Sequence, residues 1–309
     1  MSRGVHGEKI VSAIENDKLP ASDVPMLKEA LEKYDKWISS LNDIDGNDLD
    51  DIINKMVNLL NNYKYYIDVN LIFDSKEDFL YRQKGQLKID NTVMEEFLPI
   101  LVTKCLSKCT SYDISDLDIG SQTPIFSSMY FQSCLSTPEK GGGMSIKAKD
   151  QDFSMSRKLY IRSSYSKDFN LADTVTSTTH LGYVLAEIKT NLDKTMFQEG
   201  SATAHDVKLA VTGAKYYLLC DFLDMTPIST STTDIDEILI TRKAKRLGSN
   251  IRSKFNSYVG RQSNRDLYIK YLSENPYSAE VLKRFINHVI SQLKNEDLIE
   301  ESVLDLGYF

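Results

Sequence analysis

Apolar residues recur every three or four positions over much of the first hundred residues of the chain. One such series covers residues 27–41 and a second covers residues 49–60, with a polar break around Asp45-Gly46-Asn47 between them. This spacing places the apolar side chains on one face of an α-helix. A third helix is predicted from Thr92, because Thr92-Val-Met-Glu95 has the form of a capping box. The sequence therefore predicts a helical N-terminal region.

The pattern changes after Gly141-Gly-Gly143, where alternating polar and apolar positions replace the helical spacing. Strands are predicted over residues 158–162, 183–189, 216–220 and 238–240, with a helix over residues 196–211. Helical spacing returns over residues 281–293. We therefore predict an α+β fold, a mixed sheet flanked by helices. Its expected regions are an N-terminal helical region (1–90), a core (91–240) and a basic, helical C-terminal region (241–309), which also form one continuous domain in an alternative interpretation.

The charge of the chain is unevenly distributed. The net charge is −7, yet residues 238–265 contain no Asp or Glu. Clustered Lys and Arg side chains contact phosphates, and Arg also recognises guanine. The alternative is a solvated helix face. We predict that this basic window contacts DNA through Arg242, Lys243, Lys245, Arg246, Arg252, Lys254, Arg261 and Arg265.

Several classes of protein are disfavoured by what the sequence lacks. No apolar run approaches the roughly 18–20 residues that cross a bilayer, and the N-terminus has no apolar signal core. The four Cys and four His residues show no metal-ligand spacing, and the glycine run is not followed by the Lys-Ser/Thr of a phosphate loop. We expect a reduced, cytoplasmic protein without a nucleotide cofactor.

The candidate chemistry centres on Glu187-Ile188-Lys189 at the end of an apolar strand. Side chains at i and i+2 lie on the same face of a strand, so the carboxylate and the ammonium are expected side by side. Mg²⁺ prefers oxygen ligands, commonly one or two carboxylates with water and substrate phosphate. A surface ion pair is the alternative interpretation, since a Glu-x-Lys triplet is common.

A second carboxylate is needed from a neighbouring strand. If residues 152–162 and 183–190 pair as a hairpin, Asp152 lies opposite Glu187 and Lys189. Asp150 is the nearest competitor, displaced by two residues on the same face. Asp173 is a further alternative, although residues 174–179 form a weaker strand pattern. The sequence leaves these three acids open.

Three segments together resemble a known group of enzymes: residues 149–153 (Lys-Asp-Gln-Asp-Phe), residues 186–199 (Ala-Glu-Ile-Lys-Thr-Asn-Leu-Asp-Lys-Thr-Met-Phe-Gln-Glu) and residues 215–225. The chain is similar there to the type II restriction endonucleases that cut sites with a CTNAG core, DdeI and BbvCI among them, in the PD-(D/E)xK superfamily. The resemblance implies that Asp152, Glu187 and the Ile188 carbonyl bind Mg²⁺ and that Lys189 activates water. No Pro precedes Asp152, so the first half of the motif is degenerate.

The resemblance implies further contributors. Relatives in the superfamily add a carboxylate from the first core helix, for which Glu96 is preferred slightly over Glu95. Both are equally well explained as solvated acids in a first helical turn. Asn191 and Gln198 are candidates for contact with the site or the DNA backbone.

The sequence therefore predicts a Mg²⁺-dependent endonuclease that cuts double-stranded DNA at a CTNAG-containing site and leaves 5′ phosphates. One site cuts one strand, so a homodimer or a heterodimer is expected. The alternatives are a nicking subunit, a repair nuclease and a non-catalytic DNA-binding partner subunit.

Overall fold

The computed structural model describes residues 3–46, 48–109 and 111–294, together with residues 304, 305 and 307. The end of the predicted C-terminal region, from residue 295 onward, lies largely outside the described residues. Before the sheet, the chain forms helices α1 (Val5–Ile14), α2 (Val24–Asn42), α3 (Leu49–Tyr65), α4 (Asp78–Leu87) and α5 (Thr92–Cys109). The predicted helical N-terminal segments are thus confirmed, and α5 continues through Pro99.

Strands and helices alternate in the middle of the chain. The strands are β1 (Asp118–Gly120), β2 (Thr123–Phe131), β3 (Met144–Gln151), β4 (Phe153–Ser164), β5 (Thr174–Leu192), β6 (Lys215–Leu223) and β7 (Glu237–Lys245), with α6 (Lys194–Ala210) between β5 and β6. The remaining helices are α7 (Ser249–Arg252), α8 (Tyr258–Ser263), α9 (Arg265–Glu274) and α10 (Ala279–Leu293). This arrangement confirms the predicted α+β class.

The seven described strands form one mixed sheet. Its order is β1-β4-β5-β2-β3, and β6 pairs with the second half of β5 and with β7. The pairs β4–β5, β1–β4 and β2–β3 are antiparallel, whereas β5–β6 and β6–β7 are parallel. Because α6 connects β5 to the parallel strand β6, this part of the sheet is a crossover unit.

The β4–β5 hairpin is longer than the sequence predicted. Phe153 pairs with Ala186 at one end and Ser164 pairs with Thr174 at the other, with a bulge at Tyr183. The strand predicted over residues 183–189 is the second half of β5, which already begins at Thr174. Residues 174–179 are mostly β-branched Thr and Val, which favour a strand even where one face remains in water.

Apolar side chains cover both faces of the sheet. On one face, Phe153, Ala186, Ile188 and Leu219 belong to a large core that also contains residues of α1–α5 and α10. On the other face, Leu185 and its neighbours on β6 pack with α6. The helices of the first and last regions therefore share one hydrophobic core with the sheet.

No helix among the described residues is both long and apolar enough to cross a lipid bilayer.

Candidate active site

Asp152 lies where the chain changes its strand partner. The preceding residue, Gln151, pairs with Thr123 of β2, and the following residue, Phe153, pairs with Ala186 of β5. Asp152 itself is the one-residue bend between β3 and β4. The main-chain N–H of Ile188 donates a hydrogen bond of 2.8 Å to its Oδ2. The bend therefore holds the carboxylate against the strand that carries Glu187 and Lys189.

Glu187 and Lys189 form an ion pair at the end of β5. The Nζ atom of Lys189 lies 2.7 Å from Oε1 of Glu187. The Tyr216 hydroxyl donates a hydrogen bond of 3.1 Å to the other carboxylate oxygen, Oε2. Gly200 of α6 passes so close that a Cβ atom there would lie 3.2 Å from Oε2. Glu187 is therefore held from two sides, and its position is fixed by β6 and α6.

Glu95 reaches the same place from α5. Its side chain is buried, at 2% exposure, and the Gln122 amide lies 3.4 Å from its Oε2. Burial and the nearby Asp152 carboxylate raise the pKa of Glu95 to about 7. The interpretation as a solvated first-turn acid thus fails for Glu95. We call Glu95, Asp152, Glu187 and Lys189 the acidic cluster.

Glu96, the slightly preferred helix acid, points elsewhere. Its carboxylate accepts hydrogen bonds from the main-chain N–H of His6 at 2.8 Å and from the Tyr34 hydroxyl at 3.1 Å. It therefore satisfies a free N–H at the start of α1. The preference for Glu96 over Glu95 was wrong, because neighbouring residues of a helix face different directions.

The electrostatics of the acidic cluster favour a bound cation. Burial raises the pKa of Asp152, and the nearby Glu187 carboxylate adds to this effect, whereas the Ile188 N–H and Lys189 oppose it. Although burial alone acts against it, the pKa of Lys189 is raised by its hydrogen bond to Glu187 and by the charges of Glu187 and Asp152. Three carboxyl groups thus face one ammonium, and each one that ionises beyond the first leaves excess negative charge in a partly buried site.

The donor set of the acidic cluster fits Mg²⁺. Within the described ranges, no group of three His, Cys, Asp or Glu side chains is arranged closely enough to hold a metal alone. Mg²⁺ needs no such cage, since it commonly binds one or two carboxylates and completes its shell with water and substrate phosphate. The hard oxygens of Asp152, Glu187 and Glu95 are ligands of the kind that Mg²⁺ prefers.

Three members of the acidic cluster, Glu95, Asp152 and Lys189, line a cleft of about 450 Å³ together with Asn191. Basic side chains line the same cleft, namely Lys84 of α4, Lys88 just after it, and Arg246 and Arg252 after β7. Gln198 lies on the exposed surface of α6 and is not part of the cleft lining.

The competing first acids lie away from the acidic cluster. Asp150 is an exposed residue of β3 and pairs with Pro124 of β2. Asp173 lies in the turn at the far end of the hairpin, where its main-chain N–H and side chain bond to Asn170. At about 3.3 Å per residue, the 14 residues from Asp173 to Glu187 span roughly 45 Å. Of the three acids, the fold brings only Asp152 to Glu187.

A second set of buried charges adjoins this cleft, and three of its members, Lys64, Asp68 and Asp221, belong to the cleft lining. Lys64 bonds to Asp68, Arg242 lies 3.6 Å from Asp68, and Tyr277 donates a hydrogen bond of 2.7 Å to Asp221. The Arg242 guanidinium also stacks on the Tyr277 ring at 4.0 Å and donates to the Asn275 carbonyl. We call these five residues, Lys64, Asp68, Asp221, Arg242 and Tyr277, the balanced cluster, since two acids meet two bases.

The basic window does not form one DNA-facing surface. Arg242 is buried in the balanced cluster, and Arg261 is fully buried, where it donates to the Phe73 and Ser75 carbonyls and to Asp78. Both side chains bond to groups in the interior of the protein. Their burial does not support the prediction that they contact DNA. The absence of acids within the window misled here, because the partners come from other segments.

The other six basic residues are nearer the surface. Lys243, Arg246 and Arg265 form ion pairs with Glu280, Asp224 and Asp74. The Arg252 side chain donates to the Leu247 carbonyl within the cleft. Lys245 and Lys254 are exposed. These residues stay candidates for DNA contact.

Sequence reasoning missed three residues beside the acidic cluster. Tyr216 was recognised only as part of a strand, and its contact with Glu187 depends on strand register, which no local signal specifies. Gln122 and Lys88 both adopt a left-handed backbone conformation, each with φ of 54°. This conformation is uncommon for such residues and is not visible in the sequence.

Comparisons with known proteins identify the family and the fold of the chain. The model of the Bpu10I restriction endonuclease family matches residues 86–309. Among solved structures, the chain is similar to the native BbvCI A2B2 tetramer, with a TM-score of 0.57, 18% identity and coverage of 94% of this chain and 96% of that chain. At this identity the likeness shows the fold alone. No individual curated protein matches the chain.

Proposed function

Because the chain belongs to the Bpu10I restriction endonuclease family, it is a type II restriction endonuclease that cleaves DNA at specific sequences, and we propose that the acidic cluster is its catalytic centre. The observation that carries this proposal is the placement of Asp152. The bend between β3 and β4 holds its carboxylate against Ile188, between Glu187 and Lys189, at the end of β5.

The acidic cluster is suited to phosphodiester hydrolysis with Mg²⁺. Asp152, Glu187 and the Ile188 carbonyl would hold the ion, with Glu95 as the additional acid. Bound Mg²⁺ polarises a phosphoryl oxygen and neutralises the charge that develops there. In the reaction, a water oxygen would lose a proton and bond to phosphorus while the bond from phosphorus to the 3′ oxygen breaks. The upstream fragment would leave with a 3′ hydroxyl, whose oxygen takes up a proton, and the downstream fragment would keep the phosphate at its 5′ end.

Lys189 is proposed to position the attacking water. Its ammonium stays charged because Glu187 and Asp152 raise its pKa. A fixed ammonium can hold a water by a hydrogen bond and stabilise negative charge as the water loses its proton. Glu187, held by Tyr216, keeps Lys189 in place.

The DNA is proposed to lie along the cleft that contains the acidic cluster. Lys84, Lys88, Arg246 and Arg252 line that cleft and provide positive charge beside the three acids. Exposed Lys245 and Lys254 would extend this surface, whereas Arg242 and Arg261 are excluded by their burial. The resemblance of the Asp152 and Glu187 segments to enzymes that cut CTNAG-core sites supports such a site as the target.

A single acidic cluster cuts one strand, so two are needed for a double-strand break. The structure similar to this chain is an A2B2 tetramer of BbvCI. We propose that this protein likewise acts together with another subunit, either a second copy for a palindromic site or a related chain for an asymmetric one.

Digestion of supercoiled plasmid DNA with Mg²⁺ tests the proposal. The wild-type protein should give discrete linear fragments, and run-off sequencing of their ends identifies the site and the cut position. Glu187→Ala and Lys189→Ala should lose cleavage but retain DNA binding in Ca²⁺. Cleavage by either variant at the wild-type rate would refute the catalytic assignment, and open circles alone would identify a nicking subunit.

A further inference from the structure

The outer part of the β4–β5 hairpin, residues 157–164 and 174–181, carries a well-exposed polar face. We call it the outer ribbon. Along it, exposed side chains alternate with partly or fully buried ones. Tyr160 is 64% exposed although it is a large aromatic residue in the middle of a strand. The exposed face consists of Lys158, Tyr160, Arg162, Thr176 and Thr178.

This face is positively charged. Across the hairpin, Lys158 pairs with His180, Tyr160 with Thr178, and Arg162 with Thr176, so no carboxylate lies opposite either cation in the ribbon's described residues. The nearest acid at the base, Asp118, lies 3.6 Å from His180. In the turn beyond the ribbon, Asp173 bonds to Asn170, and Asp168 lies nearby.

The two cations are supported by rings but remain open to solvent. The Lys158 ammonium lies 5.5 Å from the centre of the Tyr160 ring, and the Arg162 guanidinium lies 5.6 Å from the centre of the Phe169 ring. Contacts of this kind hold the side chain while its charged end stays accessible. The cations are therefore pre-positioned for an external anion.

The exposed face of the ribbon continues the face that carries Glu187 and Lys189. Lys158, Tyr160 and Arg162 lie on the same face of β4 as Ser154, because even numbers of residues separate them from it. Ser154 pairs with Leu185 of β5. Leu185 in turn alternates with Glu187 and Lys189. The nine residues from Thr178 to Glu187 span about 30 Å, close to one turn of duplex DNA.

We propose that the outer ribbon lies in the major groove of the DNA whose backbone is cut at the acidic cluster. This inference rests on the proposed function. A two-stranded ribbon fits the major groove of B-form DNA. Lys158 and Arg162 would contact phosphates or guanine, and the hydroxyl groups of Thr176 and Thr178 would face base edges. Duplex DNA is favoured over a second protein copy because the face is cationic and hydroxyl-rich rather than apolar.

The test compares matched charge removals in a non-cleaving Glu187→Gln background with Ca²⁺ present. One variant is Lys158→Gln with Arg162→Gln. Its control is Lys28→Gln with Lys36→Gln, which removes two exposed cations from α2. Fluorescence anisotropy over a range of salt concentrations gives the affinity for the sequenced cleavage site. A duplex of about 30 base pairs with arbitrary sequence, roughly three helical turns, is measured in parallel, so that phosphate contact is tested independently of any site.

The ribbon variant should bind on the order of ten- to a hundredfold more weakly than the control. The slope of log K against log salt should fall by about 1.8, since each lost phosphate contact contributes about 0.9. Thr176→Val with Thr178→Val should reduce discrimination between the site and the arbitrary duplex without changing the slope.

If the affinity and the salt slope of the ribbon variant equal those of the control, the ribbon proposal is overturned. A changed sedimentation mass with an unchanged slope would also overturn it and would identify a contact between subunits. Failure of the proposed function is distinguishable from both outcomes, because the wild-type protein would then cut no plasmid with Mg²⁺ whatever the ribbon variants bind.

Discussion

The acidic cluster and the balanced cluster both contribute side chains to one cleft, yet the two clusters differ in how their acids and bases are matched. The balanced cluster matches Asp68 and Asp221 with Lys64 and Arg242, and its members are at most 9% exposed. The acidic cluster sets Lys189 against three carboxyl groups and opens toward the cleft. A buried charge left unpaired costs several kcal/mol, so an internally neutral set is stable by itself. A set with excess negative charge would be stabilised by a bound cation, which is what the proposed function calls for.

The largest expected effect is on stability, and it comes from the balanced cluster. Arg242→Met should lower the free energy of unfolding by about 3–5 kcal/mol, because it leaves Asp68 and Asp221 with one buried cation between them. Lys189→Met should cost less than about 1 kcal/mol, since that ion pair is partly exposed to solvent. Urea denaturation measures both. Equal losses would remove the distinction between the clusters.

A comparable effect on activity is expected from the acidic cluster alone. Asp152→Asn should lower the rate of DNA cleavage by on the order of 10²–10³-fold, because a metal-binding charge next to the reacting phosphate is lost. Asp150→Asn is the matched control, two residues away, exposed and paired with β2. It should cleave at nearly the wild-type rate. If the control were the inactive variant, Asp150 would be the first acid and Asp152 would not belong to the catalytic centre.

A pH effect follows from Glu95. Its pKa is raised to about 7, so the native protein keeps a proton that the unfolded chain releases at lower pH. Without metal, the stability contributed by this proton is fully present below pH 4.5, which is the ordinary pKa of a glutamate. It is lost as the pH rises through about 7. Glu95→Gln cannot ionise, so it removes this loss of stability at higher pH.

Urea denaturation of both proteins in EDTA between pH 4.5 and 8 measures the Glu95 effect. Relative to the wild-type protein, Glu95→Gln should gain up to about 3 kcal/mol across this range. A difference in stability that does not vary with pH would show that Glu95 is already ionised in the native state.

The smallest predicted effect concerns the positioning of Glu187. Tyr216→Phe removes the hydroxyl that bonds to its Oε2, and we expect about a tenfold higher Mg²⁺ requirement for cleavage. Tyr217→Phe is the control, since that ring packs on Phe285 and His288 on the other face of the sheet. A lower cleavage rate with an unchanged Mg²⁺ requirement would indicate a purely structural role for Tyr216.

The contrast between the clusters also shows what the sequence could predict. Apolar periodicity located α2, α3, α10 and the part of β5 that carries Glu187, since those patterns reflect one buried face. Asp152 could be placed opposite Glu187 because the register of two strands joined in a hairpin follows from counting residues back from the turn.

Other features depend on distant segments and were missed or mistaken. Arg242 and Arg261 looked like DNA contacts because their partners, Asp68 and Asp78, lie far away in the chain. The choice between Glu95 and Glu96 depends on how α5 is rotated against the sheet and α1. Long-range pairing, rather than local pattern, decides whether a charge belongs to the interior or to a site.

The central claim is that the acidic cluster holds a divalent cation and the balanced cluster does not need one. Isothermal titration of Ca²⁺ into the DNA-bound protein tests it most directly, with Asp152→Asn and Asp150→Asn measured alongside the wild-type protein. We predict a saturable binding heat for the wild-type and Asp150→Asn proteins and its loss in Asp152→Asn. Undiminished binding in Asp152→Asn would contradict the claim.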